Sequence, residues 1–387
     1  MKTLQLFKVH VQNSKALKAI RRVFESGFIN EGMQVNELTS KLSDFLQTDR
    51  LLLVNSCTSA ITLALALEDI TRGDDVVSSP MTCVAGNTPI VTAGANIVWA
   101  DVDPVSGMMT AQTVESAITP DTWAIVIVAW AGTPPADLDK IYELCVDRNI
   151  ALILDAAHAF GATFKGKPIH VWADYTCYSY QAVKHFTTGD GGGLVVNNVE
   201  KFQRAKALKW FGLDRDRAKD ANGDWKGQQW DVDIVEAGFK FNMNNVAAAI
   251  GLSQFVNGGI SKVLKKHRSN GRRLARLLQN TPGIEISSKQ DGVLCEPSYW
   301  VYTIIIDELV SKLNRDDLLK ALNAEGIMAG IVHVPNDSYT AFKKFKRELP
   351  GVRKFSQTQL SLPCGWWLNK SDIEHIASRV IALVSGK

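Results

Sequence analysis

The sequence predicts an α/β protein. Residues 1–255 are expected to form a large domain around a doubly wound, mostly parallel sheet, and residues 256–387 a smaller α+β domain. Three observations carry this. Short apolar runs alternate with helical stretches through the first half of the chain. Several of those runs are apolar at every position, as strands covered on both faces are. After residue 281 the pattern changes to strand, helix, strand, helix.

Taken in order, "LLLVN" (51–55) reads as a strand, and "SCTSAITLALALE" after it as a helix with a hydroxyl-rich start. "DVVSS" (75–79), "ANIVWADVD" (95–103) and "TWAIVIVAWAG" (122–132) read as further strands. "ADLDKIYELCVDR" (136–148) has the spacing of an amphipathic helix. "IALILDAAHAFGA" (150–162) begins as a strand and ends in a turn, and "ADYTCYSY" (173–180) and "GGLVVNN" (192–198) add two more strands. Helix is expected near 244–255 and across "KVLKKHRSNGRRLARLLQN" (262–280), which puts the domain boundary near residue 256. Beyond it, 299–308 and 327–335 read as strands, and 314–327 and 369–384 as helices.

The 387 residues are 46% hydrophobic and 21% charged, the balance of a globular protein with a substantial core. The 43 basic and 40 acidic residues nearly cancel, which argues against nucleic acid or an anionic membrane as partner. Six scattered cysteines without a C-x-x-C pair are expected to be buried thiols in a reducing cytoplasm. The opening "MKTLQLFKVHVQNSKALK" lacks the apolar core of a signal peptide. No apolar run reaches the roughly 18 residues of a membrane span. The seven histidines show no metal-ligand spacing, so no metal is expected.

Three places carry chemistry. In "NSCTSA" (55–60) a strand ends and a helix begins, so free N–H groups and the hydroxyls of Ser56, Thr58 and Ser59 meet at the positive end of a helix dipole. That suits a phosphate, although simple N-capping would also explain it. Asp155 ends an apolar strand, where a carboxylate needs a cation or a donor to offset desolvation, and strand ends are where α/β sheets bind ligands. His158 follows it three residues later. Lys184, in "SYQAVKHFTTGDGGG" (179–193), lies between an aromatic strand end and a glycine-rich turn rather than on a solvated helix. "GDGGG" does not fit the dinucleotide fingerprint. A phosphate cradle, a strand-end carboxylate and a loop lysine together are what pyridoxal phosphate requires.

These segments resemble the DegT/DnrJ/EryC1/StrS sugar aminotransferases, fold-type I pyridoxal-phosphate enzymes, over nearly the whole chain. "LDAAHAFGA" is similar to the family's D-A-A-[HQ]-A-x-G block, and "SYQAVKHFTTGDGGG" to its lysine block. "NSCTSAITLALAL", "PMTCVAGNTPIVTAGA", "AGTPPADLDKI" and "GFKFNMNNVAAAIGLSQF" are similar to supporting blocks. The resemblance implies that Lys184 is the catalytic, Schiff-base lysine and proton shuttle, and that Asp155 pairs with the pyridinium nitrogen. It places His158 by the ring and its 3-hydroxyl. Thr58, Ser59, the backbone of Cys57 and Ser179 hold the phosphate, and Lys240 reaches the phosphate of a neighbouring subunit. It implies a homodimer with shared active sites, glutamate as amino donor, and a nucleotide-linked 4-keto-6-deoxyhexose as the expected acceptor, or else a 3-keto sugar or a keto-cyclitol. The resemblance leaves room for two different activities. One is a sugar dehydratase, whose relatives replace the lysine by histidine; the second is a non-catalytic cofactor-binding regulator. The basic stretch 262–273 and the loop 332–342 are candidates for holding the nucleotide. Two departures stand out. Cys57 replaces a family glycine, and Cys83 occupies a position where the family often has an aromatic residue stacked on the ring.

Overall fold

The computed structural model describes residues 2–214, 233–234, 236–287 and 291–386. Two helices, α1 (Asn13–Ser26) and α2 (Met33–Leu46), precede the first strand. The chain then alternates β1 (Leu51–Val54), α3 (Cys57–Leu67), β2 (Asp75–Ser78), α4 (Val84–Thr92), β3 (Asn96–Trp99), α5 (Ala111–Glu115), β4 (Thr122–Val128), α6 (Leu138–Arg148) and β5 (Ala151–Asp155). Short β6 (Thr163–Phe164) and β7 (Lys167–Pro168) lead into β8 (Tyr175–Ser179), β9 (Gly192–Val196), α7 (Val199–Leu208) and α8 (Asn245–Ser253). After α9 (Gly259–Leu278) come β10 (Ile284–Ile286), β11 (Cys295–Glu296), β12 (Tyr302–Ile306), α10 (Arg315–Ala324), α11 (Pro350–Thr358), β13 (Gln359–Leu362) and α12 (Lys370–Ser385).

The main sheet has seven strands in the order β1-β9-β8-β5-β4-β2-β3. Only β9 runs against the others, pairing antiparallel with both β1 and β8. Every residue of β1, β5, β8 and β9 is buried, as their largely apolar sequence requires. Because β9 alone is reversed, β1, β2, β4, β5 and β8 deliver their carboxyl ends to one edge.

A second hydrophobic cluster lies on a three-stranded antiparallel sheet, β10-β12-β13. The long helix α9 contributes Ile260, Val263 and Leu264 to the first cluster and Leu274 and Leu278 to the second. Leu4 also packs in the second cluster and forms a bridge to Ile327.

The expected strand at 327–335 does not form. Its segment makes only isolated bridges, at Ile327 and Gly330, and then runs as coil into a short 3-10 turn at Asn336–Ser338. The third place in the small sheet is taken by β13 (Gln359–Leu362), whose apolar content is too brief to stand out in sequence. Gly330 exchanges both backbone bonds with Ser361, after which the chain leaves the sheet. Pro335 has no N–H with which to continue a ladder.

Candidate active site

Strand register gathers the site. Val54, the last residue of β1, pairs with Gly192 of β9, which pairs with Ser179, the last residue of β8. Two residues back along β8, Cys177 pairs with Asp155 at the end of β5. Thus Ser179, Asp155 and the turn after β1 share one edge of the sheet, and the loop carrying Lys184 follows directly from β8.

The turn after β1 is built as an anion cradle. The Ser56 hydroxyl caps α3, accepting from the Ser59 N–H at 3.0 Å. The Ser59 hydroxyl donates to Asn55 Oδ1 at 2.6 Å. Cys57 and Thr58 open the first helical turn, where N–H groups lack intrahelical acceptors. Cys57 is absent from the residues with positive φ, so the cysteine replaces the family glycine without backbone strain. The close approach falls to Gly192 instead. A Cβ there would come within 2.5 Å of the Ser56 carbonyl carbon and 2.6 Å of the Cys57 nitrogen. One at Gly193 would meet the Tyr180 hydroxyl at 2.3 Å. The glycine run therefore lets β9 lie against the α3 turn and Tyr180.

Asp155 is buried, with 4% of its surface exposed. Its Oδ1 accepts from the Ala157 N–H at 3.0 Å and lies 3.9 Å from the Cys57 thiol. Burial raises its pKa; the Ala157 N–H, the Lys184 charge and the Cys57 thiol act in the opposite direction. A Cβ on Gly86 would lie 3.4 Å from its other oxygen, in van der Waals contact with the carboxylate. Lys184 is the cation that this carboxylate feels. Burial pushes the amine down to about 8, while Asp155, Cys57 and Cys83 pull the other way. A lysine with that pKa has an appreciable neutral, nucleophilic fraction near pH 7.5.

Aromatic rings close the other side. Lys184 Nζ sits 3.6 Å from the centroid of the Trp300 ring. The Trp300 indole N–H donates to the Val183 carbonyl at 2.8 Å. His158 is buried and stacks on Trp300 with centroids 4.0 Å apart and planes 20° apart. Burial and the Lys184 charge hold its imidazole well below the usual histidine range. Phe7 also stacks on Trp300, at 4.8 Å. Trp300 and Trp130 lie outside the candidates the sequence offers, and His333 falls in the loop 332–342, a candidate only for the nucleotide and not for the cofactor. "YWVYTIII" signals only a strand, and nothing local says that one tryptophan faces a lysine more than a hundred positions away.

Cys83 stands at the start of α4, in the neighbourhood of Lys184 and Cys57. The Lys240 carbonyl accepts from Asn55 Nδ2 at 3.3 Å, so its backbone braces the α3 turn of its own chain. Its ammonium lies 3.4 Å from the Trp210 ring centroid and donates to Asn242 at 2.6 Å. Some of the basic residues of α9 are engaged in ion pairs. Arg272 pairs with Asp291 at 2.9 Å and Arg268 with Glu296 at 3.1 Å, while His267 and Asn270 are buried.

This donor set fits pyridoxal phosphate. There is a buried carboxylate with few protein partners for a cationic ring nitrogen, a lysine with a depressed pKa, and a serine-capped helix start for the phosphate. Two buried polar atoms at this edge, His158 Nδ1 and Thr82 Oγ1, have no protein partner among the described residues. The model of the DegT/DnrJ/EryC1/StrS aminotransferase family matches residues 11–381. The chain belongs to this family. As a DegT/DnrJ/EryC1/StrS protein it is a pyridoxal-phosphate-dependent aminotransferase, with the family's α/β fold. It is 33% identical to AtS13 from Actinomadura melliaura, with a TM-score of 0.89 and 99% of both chains covered. It is 28% identical to the sugar aminotransferase CalS13 from Micromonospora echinospora, at a TM-score of 0.88 over 98% of this chain and 99% of that one. The spore coat polysaccharide biosynthesis protein SpsC of Bacillus subtilis is 27% identical over 96% of this chain and 94% of its own length. Among the described residues no helix is long and apolar enough to cross a membrane.

Proposed function

We propose that this aminotransferase moves an amino group from glutamate to a nucleotide-linked keto-sugar, a 4-keto-6-deoxyhexose in the first instance. The observation that carries the reading is Lys184, its pKa brought to about 8 at a sheet edge shared with Asp155 and the α3 turn. The likeness to a sugar aminotransferase and to a polysaccharide biosynthesis protein supports a sugar acceptor.

When bound, the cofactor supplies an electron sink and carries the amino group between the two substrates. Asp155 would balance a protonated ring nitrogen. The Cys57–Ser59 turn and Ser179 would bind the phosphate. Lys184 would take and return the migrating proton at Nζ, and Trp300 would keep water from one side of that amine. His158 would help hold the ring near its 3-hydroxyl. A dehydratase would need a histidine to do the work of Lys184. His185, the nearest in sequence, is instead buried with its Nε2 3.0 Å from the Ser298 carbonyl and its ring against His267.

The reading includes a homodimer whose sites are shared, with Lys240 serving the partner's phosphate. Exposed Leu17, Phe24, Phe28, Ile29 and Met33 give the N-terminal segment an apolar surface suited to a second copy. The test is turnover with glutamate against a panel of nucleotide-linked 3-keto and 4-keto sugars and keto-cyclitols, with the position of the new amine determined. Amination of a cyclitol alone, or of no sugar at all, refutes the substrate reading.

A further inference from the structure

His158 Nε2 lies 3.5 Å from His333 Nε2. The ring centroids are 5.4 Å apart and the planes differ by 11°. The nitrogens are thus 1.9 Å closer than the centroids (5.4 − 3.5), so the rings meet nearly edge to edge, each presenting Nε2 to the other. Two neutral imidazoles in this arrangement place one proton between them, and one must donate while the other accepts. Both are held neutral. Burial and Lys184 push His333 down to about 4, and the same influences hold His158 well below the usual histidine range.

We propose that His333 is a positioning residue that accepts a hydrogen bond from His158 Nε2–H, fixing the tautomer and ring orientation of His158. The direction follows from the other nitrogen. His158 Nδ1 is buried without a protein partner, and a buried orphan N–H is rarer and more costly than an orphan lone pair. The proton therefore resides on Nε2, and Nδ1 is left as an acceptor. The surroundings hold both rings in place. Trp300 stacks on His158, and Trp130 meets both imidazoles edge-on, at 6.3 Å from His158 and 5.7 Å from His333. The coil carrying His333 is pinned by Asn336, whose Nδ2 donates to the Thr82 carbonyl at 2.9 Å and whose Oδ1 accepts from Asn87 at 2.9 Å. Departure from the small sheet after Gly330 is what brings His333 here.

The purpose of the pair rests on the reading that His158 serves the cofactor; the pair itself does not. Full-length protein labelled with 15N-histidine, with and without pyridoxal phosphate, reports which nitrogen of His158 is protonated, with His158→Gln identifying its signals. The wild type is expected to show Nε2 protonated in both forms. His333→Phe, which keeps a flat ring but removes the acceptor, is expected to lower the Nε2–H to Nδ1–H ratio roughly fivefold, the effect of one net hydrogen bond. His333→Gln, whose amide oxygen accepts, should restore it. A proton on Nδ1 in the wild type, or an unchanged ratio in His333→Phe, overturns the proposal; the wild-type spectrum alone decides the first point if the variant misfolds. If the ratio responds as expected but His158 signals ignore added cofactor, the pair stands and the reading of His158 as a cofactor contact fails.

Discussion

The depressed pKa of Lys184 leads to a test in which the cofactor itself is the probe. Burial lowers the amine from 10.5 to about 8, and Asp155 opposes that fall. At pH 7.5 an amine at about 8 is roughly one-quarter neutral, whereas an ordinary lysine is roughly one-thousandth neutral. Capture of pyridoxal phosphate by the cofactor-free protein, trapped with borohydride at timed intervals, should therefore rise with pH, with its midpoint near pH 8 and a plateau about one pH unit higher. Peptide mapping should find the label on Lys184. In Asp155→Asn the carboxylate that raises the lysine pKa is gone, so the midpoint should move to lower pH. The shift follows from sign alone, because removing an anion makes a neighbouring ammonium harder to keep. The reasoning is refuted by a midpoint above pH 9.5, by a midpoint that rises in Asp155→Asn, or by label on another lysine.

Asp155→Asn should also retain cofactor but lose most turnover, with the barrier raised by about 3 kcal/mol or more, as for loss of a major electrostatic element; near-normal kcat would refute its role. Cys83→Phe or Cys83→Trp should be tolerated and tighten cofactor binding by roughly 0.5–1.5 kcal/mol if the side chain reaches the ring, and equal affinity for the Ala, Phe and Trp variants by equilibrium titration would place Cys83 away from it. Gly192→Ala should lower the denaturation midpoint by an amount worth about 1–3 kcal/mol, since its Cβ has no room beside Ser56 and Cys57; an unchanged midpoint with unchanged cofactor affinity would show that the turn yields freely. Lys184→Ala and Lys240→Glu should each be inactive as homodimers, and co-refolded mixtures should recover about a quarter of all sites through heterodimers. Full activity of Lys240→Glu alone would instead confine Lys240 to bracing its own α3 turn.

The half of the site that lies on the main sheet was legible because local rules govern it. The β1 run "LLLV" is apolar throughout since both its faces are covered, and "NSCTSA" caps a helix by the same hydroxyls that suit an anion. Asp155 and Lys184 stood out because each is costly to bury without a partner. The strand order was not readable, since β9 between β1 and β8 depends on pairing between residues more than a hundred apart. The strand expected at 327–335 failed for a related reason. Its residues have β-propensity, but the last place in the small sheet went to β13, and coil geometry is what carries His333 to the main sheet.

The ring wall has a consequence for how the site is held together. Phe7, Trp300, His158 and His333 come from four separate stretches of chain and are contiguous only in the folded protein. Tyr299, which has φ 52°, turns the backbone so that its own ring packs over Gly271 of α9 while Trp300 faces Lys184. Two buried histidines hold that turn. His185 meets the Ser298 carbonyl at 3.0 Å, and His267 meets the Tyr299 carbonyl at 2.7 Å. His185 is the immediate neighbour of Lys184, so the lysine loop and the Trp300 turn are joined by a hydrogen bond as well as by the ring contact. Local strain at Tyr299 persists because the surrounding bonds over-determine it. Tyr299 itself belongs to the second hydrophobic cluster, packed with Leu274 and Leu278 of α9. The position of the amine is thereby coupled to the packing of that cluster, so a cavity opened there would be felt at Lys184 through the Trp300 turn.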